Sequence, residues 1–190
     1  IVCGRYSLAA DLQILKERFS LTNASLSYAP RFNIAPTQEV MVVTADEKGR
    51  YASAMRWGLI PMWAKDLSFG NRMINARAET LEDKATFRQS LPRRRCLVIA
   101  DGFFEWKQTH SGKVPMRITK AAGEPFAFAG LWSTWKAPLG AVVYSCTIIT
   151  TRANTELESI HDRMPAILCG KAEDLWIDTR ESETSVLKKL

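Results

Sequence analysis

Short apolar runs of strand length dominate this sequence, and they follow one another with few helical segments between them. The longest run, from Ala141 to Thr150, is rich in β-branched residues, which favour extended strands. The runs lack the regular strand–helix alternation of a doubly wound parallel fold. The pattern therefore predicts an α+β fold with a mainly antiparallel sheet or barrel core and a few short helices.

Further strands are predicted wherever apolar runs of this length recur. They cover Glu39–Thr44, Tyr51–Trp57, Cys96–Ala100, Val114–Thr119, Phe126–Leu131 and Met164–Leu168. The first two of these form a hairpin across 46–49. Apolar residues at helical spacing predict an amphipathic helix over Ser7–Phe19. Other helices are predicted at Ala78–Phe87, Thr151–Ser159 and Lys171–Asp178.

The length of 190 residues suits one domain, and the sequence contains no repeat, linker or low-complexity segment. Hydrophobic residues make up 46% and charged residues 24%, which excludes a disordered chain, a collagen-like chain and a disulfide mini-protein. The formal net charge of +6 favours a polyanionic partner, nucleic acid above all, although many basic proteins are merely soluble.

The cysteines and histidines do not have the spacing of a metal site. The four cysteines form no CxxC pair, and the chain has two histidines, so we expect no metal and no cofactor. Cys96 and Cys146 lie in apolar runs and are interpreted as small buried hydrophobic residues in a reducing compartment. With no membrane-spanning run and no signal peptide, we expect a monomer in the cytoplasm that does not bind membranes.

A thiol stands close to the first residue, in Cys3-Gly4-Arg5. A neighbouring guanidinium favours the thiolate, which is the nucleophilic form of cysteine. The alternative interpretation is a buried cysteine without a chemical role.

Asn75 and Arg77 lie two positions apart, so in an extended segment their side chains share one face. An amide beside a guanidinium suits an anionic or oxygen-rich ligand. Alternatively, Asn75 caps the start of a helix.

Glu105 and His161 are candidates for proton transfer. Glu105 stands among aromatic residues after the apolar run 96–100, where loss of hydration would raise its pKa, or else it lies on the solvent face of a strand. His161 lies between charged residues before Pro165, although a single loop histidine is more often structural. The other histidine, His110, lies in a predicted hairpin turn and receives no role.

Aromatic and basic residues alternate in the loop that follows Trp57. Trp63 and Phe69 are candidates for exposure, whereas Trp57 and Trp132 are predicted to be core. Exposed aromatic rings near cations suit the stacking and phosphate contacts of single-stranded nucleic acid. The basic run 92–95 is interpreted as the solvated start of a strand.

Seven segments, taken in order, resemble the SRAP (SOS response-associated peptidase; abasic-site processing) family. They are Cys3-Gly4-Arg5, Asn33-Ile34-Ala35-Pro36-Thr37, Arg56-Trp57-Gly58-Leu59-Ile60-Pro61, Asn75-Ala76-Arg77-Ala78-Glu79-Thr80, Gly102-Phe103-Phe104-Glu105-Trp106, Ala129-Gly130-Leu131-Trp132 and His161-Asp162-Arg163-Met164-Pro165. The segments span residues 3–165, and the whole chain, 1–190, is interpreted as one SRAP-like domain.

The resemblance implies a β-rich fold whose basic cleft holds single-stranded DNA, with abasic-site DNA as the partner. It implies that Cys3 attacks the ring-opened aldehyde and closes to a thiazolidine, a stable DNA–protein crosslink. Glu105 and His161 would assist proton transfers, and Asn75 would position the terminus and the sugar. Residues expected to contact DNA, from the resemblance or from their type and place in the sequence, are Arg5, Trp63, Phe69, Arg72, Arg77 and Arg163. DNA binding would bring the protein to the nucleoid.

In the family the cysteine is the first residue of the mature protein, whereas here Ile1 and Val2 precede it. While they remain attached, the nitrogen of Cys3 belongs to an amide and a thiazolidine cannot form. Self-removal of the preceding residues, to which the family name refers, would free the amine. Two alternatives remain open: a cysteine peptidase that acts on peptides with His161 as the base, and a non-catalytic module that binds single strands.

Overall fold

Strands make up most of the secondary structure in this computed structural model, which describes residues 2–23, 27–187 and 189. The strands are β1 (Arg5–Leu8), β2 (Arg31–Ile34), β3 (Glu39–Asp46), β4 (Gly49–Trp57), β5 (Asn75–Arg77), β6 (Arg95–Ala100), β7 (Gly102–Thr109), β8 (Gly112–Ile118), β9 (Phe126–Lys136), β10 (Val142–Arg152), β11 (Arg163–Pro165) and β12 (Ile167–Leu168). The α-helices are α1 (Leu12–Phe19), α2 (Ala85–Arg88), α3 (Lys171–Ile177) and α4 (Thr184–Leu187). Two 3₁₀ helices cover Leu67–Arg72 and Ala78–Thr80. The predicted α+β class with few short helices is confirmed.

Five strands close into a barrel because each one pairs with the next around a ring. β3 pairs with β4 and β6, β9 pairs with β6 and β10, and all of these pairings are antiparallel. A parallel pairing between β10 and β4 completes the ring. Apolar side chains fill the core, among them the fully buried Trp57, Phe128 and Cys146. A closed barrel has no unpaired edge strand in its ring. The backbone N–H and C=O groups of its strands can therefore form hydrogen bonds with neighbouring strands.

A second sheet, in the order β2-β1-β7-β8, carries the start of the chain. Its buried Tyr6 and Phe103 pack edge-on against Phe128 of the barrel, with ring centroids 5.8 and 5.9 Å apart. The predicted core positions of Trp57, Cys96 and Cys146 are confirmed, since all three are fully buried, whereas Trp132 is only partly buried against the core. The contacts between Tyr6, Phe103 and Phe128 fix the sheet against the barrel and place β1 beside β7.

The predicted helix over Ser7–Phe19 is wrong at its beginning. Residues 5–8 form β1, in which Ser7 pairs with Gly102, and α1 begins only after Asp11, whose side chain accepts from the backbone N–H of Gln13. The strand buries Leu8, as a helix would. Because burial of this residue does not favour the helix, pairing with the neighbouring strand overrides the helical spacing of the apolar residues. The helix α1 has eight residues, and no described helix is both long and apolar enough to cross a membrane.

Two other helical predictions are also wrong. In place of a helix over Ala78–Phe87, the chain forms a 3₁₀ turn and the short α2. In place of Thr151–Ser159, β10 continues to Arg152 and pairs with β11. The predicted α3 and the predicted strands are confirmed within a few residues, except that 163–168 is divided between β11 and β12 and β9 extends to Lys136. Strands β2, β5 and β7 were not predicted, and the short β2 and β5 have no apolar run.

Candidate functional site

The start of the chain lies against Glu105 because β1 pairs antiparallel with β7. This pairing sets Arg5 opposite Phe104, one residue before Glu105. The backbone N–H of Cys3 donates to Oε1 of Glu105 at 2.5 Å. Cys3 has φ of 45°, in the left-handed region that non-glycine residues rarely adopt. The strand pairing thus holds a strained residue with its nitrogen directed at a carboxylate, which is a typical property of a functional site.

The carboxylate of Glu105 is 3% exposed, so its placement on the solvent face of a strand is wrong. Burial raises the pKa of Glu105, and the N–H of Cys3 and the charge of His161 partly oppose that rise. The predicted desolvation is therefore confirmed. A carboxyl whose pKa is raised toward neutrality can both accept and return a proton.

The thiol of Cys3 is fully buried, and burial, followed by the charge of Glu105, raises its pKa well above the ordinary value. The expectation that Arg5 promotes a thiolate is wrong, because the Arg5 guanidinium turns outward to Oδ1 of Asn33 at 3.0 Å. Cys3 is thus a neutral thiol at pH 7. Any nucleophilic step at sulfur needs a neighbouring group to accept its proton.

His161 is near enough to Glu105 for its charge to act on the carboxyl. Its Nδ1 lies 3.0 Å from the backbone nitrogen of Arg163 and 2.9 Å from Oδ1 of Asp162. The side chain is 27% exposed, so one part of the ring is open to solvent or substrate. His110, as predicted, lies exposed in the hairpin turn between β7 and β8.

Asn75 and Arg77 lie on the extended strand β5, which pairs in parallel with β10. The alternative of Asn75 as a helix cap is wrong, since the 3₁₀ helix that follows begins at Ala78. Both residues line the same cavity, as their spacing predicts. Nδ2 of Asn75 is buried, and no described group accepts a hydrogen bond from it. A buried, unpaired amide at a cavity is a donor available to a ligand.

This cavity, which we call the basic cavity, has a volume of about 480 Å³ and lies directly in front of the chain start. Its lining comprises Val2, Arg72, Met73, Asn75, Arg77, Lys84, Ala85, Thr86, Phe87, Thr150 and Arg163. Four of these side chains are cationic and none is acidic. A second cavity of about 440 Å³ shares Arg77 and Arg163 with it and adds Arg152 together with two acidic residues, Glu158 and Asp162. The linings of the two cavities still carry more cationic than acidic side chains, which suits a polyanion.

Arg163 has a different environment from the other three cations. Its guanidinium forms two hydrogen bonds with the Glu79 carboxylate, at 2.6 and 3.0 Å, and a third with the Thr150 carbonyl at 2.9 Å. Its charge is therefore already compensated, whereas Arg72 and Arg77 are exposed and form no ion pair with the described residues. The first contacts to phosphate are expected from Arg72, Arg77 and Lys84.

A third cavity, of about 500 Å³, lies elsewhere and has the opposite character. Its charged lining comprises Asp46, Glu47, Arg50, Asp174, Asp178 and Arg180. Its two arginines pair with Asp174 and Asp178, which leaves a net negative surface. Among the described residues, no group of three His, Cys, Asp or Glu side chains is arranged to hold a metal ion.

The aromatic residues Trp63 and Phe69 lie in the loop that leads into the basic cavity. Trp63 is 51% exposed, and the two ring centroids are 5.0 Å apart at an angle of 78°. Arg72 ends the 3₁₀ helix that contains Phe69 and lines the cavity. The loop is held where Gly70 passes against Gly58 with no space for a Cβ on either residue. Trp63 is therefore exposed as predicted, whereas Phe69 is only partly exposed because it packs against the small apolar cluster around Trp135.

Sequence reasoning missed some of the residues around the site. Lys84, Thr150 and Arg152 line the two basic cavities, and Glu79 compensates Arg163. Glu79 lies within a motif that resembles the family, whereas the other three carry no local signal. The run 92–95 was also misread in part, because Arg95 is buried and its guanidinium binds backbone carbonyls that include those of Leu91 and Asp178.

The chain is similar to proteins that are named abasic site processing proteins. The family of SOS response associated peptidases (SRAP) matches residues 2–190. The abasic site processing protein YoqW of Bacillus subtilis is 42% identical over all of this chain and 86% of its own length. The abasic site processing protein HMCES of Xenopus tropicalis is 35% identical over 86% of this chain and 58% of its own length. A crystal structure of a protein from Bacteroides thetaiotaomicron aligns with a TM-score of 0.87 and 26% identity, over 97% of this chain and 86% of that one.

Proposed function

Because this chain belongs to the SOS response associated peptidase (SRAP) family, we propose that it captures abasic sites in single-stranded DNA through Cys3. Curated relatives that match the whole chain are named abasic site processing proteins, which supports abasic DNA as the substrate. The proposal includes a covalent product, a DNA–protein crosslink at the chain start.

One observation carries this proposal: the nitrogen of Cys3 lies 2.5 Å from the buried Glu105 carboxylate, at the edge of a cavity lined by cations. A ring-opened abasic site presents an aldehyde next to phosphates. The cations suit the phosphates, and the pair of nitrogen and thiol on Cys3 suits the aldehyde. A peptidase acting on unrelated peptides would need none of this positive charge.

The chemistry begins once Cys3 carries a free α-amine. The amine adds to the aldehyde carbon, and loss of one water gives an imine. The thiol sulfur then adds to the imine carbon while its proton passes to the nitrogen, which closes a five-membered thiazolidine. The ring closure is intramolecular and so gains from effective molarity. Overall, one C–N and one C–S bond form and one water leaves.

Glu105 is the group best placed to move the protons in these steps. Its carboxylate takes a proton from the amine as the amine attacks and returns it to the departing hydroxyl. Because the pKa of the Cys3 thiol is raised, its sulfur attacks the imine only as it loses its proton. The Glu105 carboxylate is therefore needed a second time, in this ring closure. His161 supplies the second proton-transfer group, and Nδ2 of Asn75 supplies a donor for the sugar oxygen.

We propose further that the protein removes the residues before Cys3 itself. The bond concerned joins Val2 to Cys3, and Val2 lines the basic cavity where the sugar would lie. Hydrolysis adds one water to this amide and releases the carboxylate of Val2 and the amine of Cys3. Glu105 accepts a hydrogen bond from the nitrogen that must leave, and in its protonated form it is placed to donate the proton which that nitrogen needs.

The test uses a single-stranded oligonucleotide with one uracil, converted to an abasic site by a uracil glycosylase. The protein is prepared with Cys3 as its first residue, which mass spectrometry verifies, and the mixture is separated on a denaturing gel. We expect a slowly migrating covalent band that is absent with the untreated oligonucleotide. Bound but non-covalent DNA would instead support a binding module, and the absence of binding would leave the peptidase alternative.

A further inference from the structure

The Nδ1 atom of His161 has two neighbours that require opposite protonation. The backbone N–H of Arg163 donates to Nδ1 at 3.0 Å, which requires an unprotonated Nδ1 and places the proton of a neutral ring on Nε2. The carboxylate of Asp162 lies 2.9 Å from the same atom and can only accept, which requires a proton on Nδ1. The two neighbours therefore stabilise different tautomers of the neutral ring.

We infer that Asp162 is a positioning residue that stabilises the Nδ1–H tautomer of His161 and thereby leaves Nε2 free to accept a proton. This inference deepens the proposed function and rests on it where it concerns crosslinking. Without Asp162, the Arg163 amide alone would act on Nδ1, and the neutral ring would carry its proton on Nε2. Such a ring can donate from Nε2 but has no lone pair there to accept.

The amide of Arg163 is a fixed neighbour. It begins β11, which pairs with β10, and the Arg163 side chain is anchored to Glu79 and Thr150. The Asp162 side chain is 86% exposed and can approach or leave the ring as the proton moves. The fixed N–H of Arg163 is the partner of Nδ1 when that atom is unprotonated, and the Asp162 carboxylate is its partner when it is protonated. The ring can therefore exchange a proton without changing its orientation.

The charges around the ring bear on this assignment. Glu105 faces it from β7, and the charges of both His161 and Asp162 act on Glu105. Arg77, Arg152 and Glu158 line the cavity that Asp162 shares. Since Nε2 forms no hydrogen bond with the residues that the structure describes, it is open to a proton from the reacting groups. The charges of His161 and Asp162 thus act on the same carboxyl that accepts from the nitrogen of Cys3.

Nitrogen NMR of the free protein measures the tautomer directly. With His110→Gln as the background, His161 is the one remaining histidine, and the ¹⁵N shifts of its two nitrogens at a pH where the ring is neutral report which one carries the proton. We expect a substantial Nδ1–H population in this background. Asp162→Ala should abolish that population, whereas Asp162→Asn, which keeps an acceptor oxygen, should retain it. Glu47→Ala, which removes an exposed carboxylate from the β3–β4 hairpin, is the control.

Crosslinking rates complete the test on the same variants. Asp162→Ala is expected to slow crosslinking by roughly tenfold or more, since a well-placed proton acceptor is worth about 10²–10⁴ in rate, and Asp162→Asn should restore most of it. Identical ¹⁵N shifts in Asp162→Ala and its parent would overturn the inference. If the parent protein formed no crosslink, the proposed function would fail, while the NMR result would still decide the role of Asp162.

Discussion

The backbone nitrogen of Cys3 and the carboxylate of Glu105 are hydrogen-bonded at 2.5 Å although 102 positions separate them in the chain. The contact joins the atom that would become an amine in the proposed chemistry to a buried carboxylate. Burial of Glu105 is unfavourable for an ionised group, so the protein maintains this contact at some cost in stability. Such an arrangement is typical of proton-transfer sites and links the fold directly to the proposed chemistry.

Replacing Glu105 by Gln should slow crosslinking without preventing DNA binding. Glutamine keeps the shape and can still accept from the Cys3 nitrogen, but it cannot exchange a proton, so we expect a rate loss of about 10²–10⁴. Single-turnover crosslinking gels give the rate, and a binding assay under the same conditions is the control. Crosslinking at the parent rate would remove Glu105 from the chemistry.

The same substitution should stabilise the protein at neutral pH. Burial raises the pKa of Glu105 in the folded state above its unfolded value. The folded state then binds the proton more tightly, so the contribution of Glu105 is favourable below the unfolded pKa and is lost as pH rises through the folded pKa. Glu105→Gln should therefore have a higher Tm than the parent at pH 7 and lose that advantage near pH 4. A Tm advantage that does not change with pH would contradict this account.

Arg77→Ala should weaken binding to single-stranded DNA equally for all sequences. Arg77 is exposed, lines both basic cavities and forms no ion pair with the described residues. Loss of one phosphate contact lowers the slope of log affinity against log salt by about 0.7. Titrations at several salt concentrations measure the slope, and Arg180→Ala, at the acidic cavity, should leave it unchanged. A changed base preference with an unchanged slope would mean that Arg77 contacts a base.

Gly70→Ala should displace the loop that carries Trp63 and Phe69. A Cβ on Gly70 would overlap the carbonyl oxygen of Gly58, which is backbone and cannot turn aside. We expect weaker DNA binding together with a lower Tm, because the loop and its supporting contacts must shift. Ser68→Ala, on the same 3₁₀ helix, creates no such overlap and removes only the hydroxyl that donates to Oδ1 of Asp66, so it serves as the control. Parent-like binding by Gly70→Ala would separate the loop from DNA recognition.

The stability of the crosslink should depend on whether the nitrogen of Cys3 is a free amine. A chain that begins at Cys3 presents both amine and thiol and should give a product that survives heating in denaturant. A preparation of the same sequence in which the residues before Cys3 are retained offers the thiol alone and should give no heat-stable product. Mass spectrometry verifies both chain starts.

Cys3→Ala, prepared without the two preceding residues, keeps the amine but removes sulfur, and it should bind DNA normally and yield at most a reversible imine. Equal amounts of heat-stable product from this variant and the parent would show that the thiazolidine is not the product. The stable adduct would then have to involve another group.

Local sequence patterns determined much of the secondary structure of this protein and part of its candidate site. Apolar runs specified most strands, and the barrel class followed because those runs succeed one another without intervening helices. Asn75 and Arg77 were correctly placed on one face because alternation is a property of any extended segment. The aromatic neighbours of Glu105 indicated the desolvated position as one of two alternatives, and the motifs identified the family.

Contacts between distant segments decided the rest. The environment of Cys3 depends on Glu105 and on burial, so its thiol is neutral although Arg5 stands two residues away. Glu79 neutralises Arg163 from 84 positions away, which no local pattern reveals. The segment 5–8 became a strand because β7 offered it a partner, against its own helical spacing. The charge state of a side chain and the pairing of a strand depend on neighbours in three dimensions. Those neighbours come together only when the second sheet packs against the barrel.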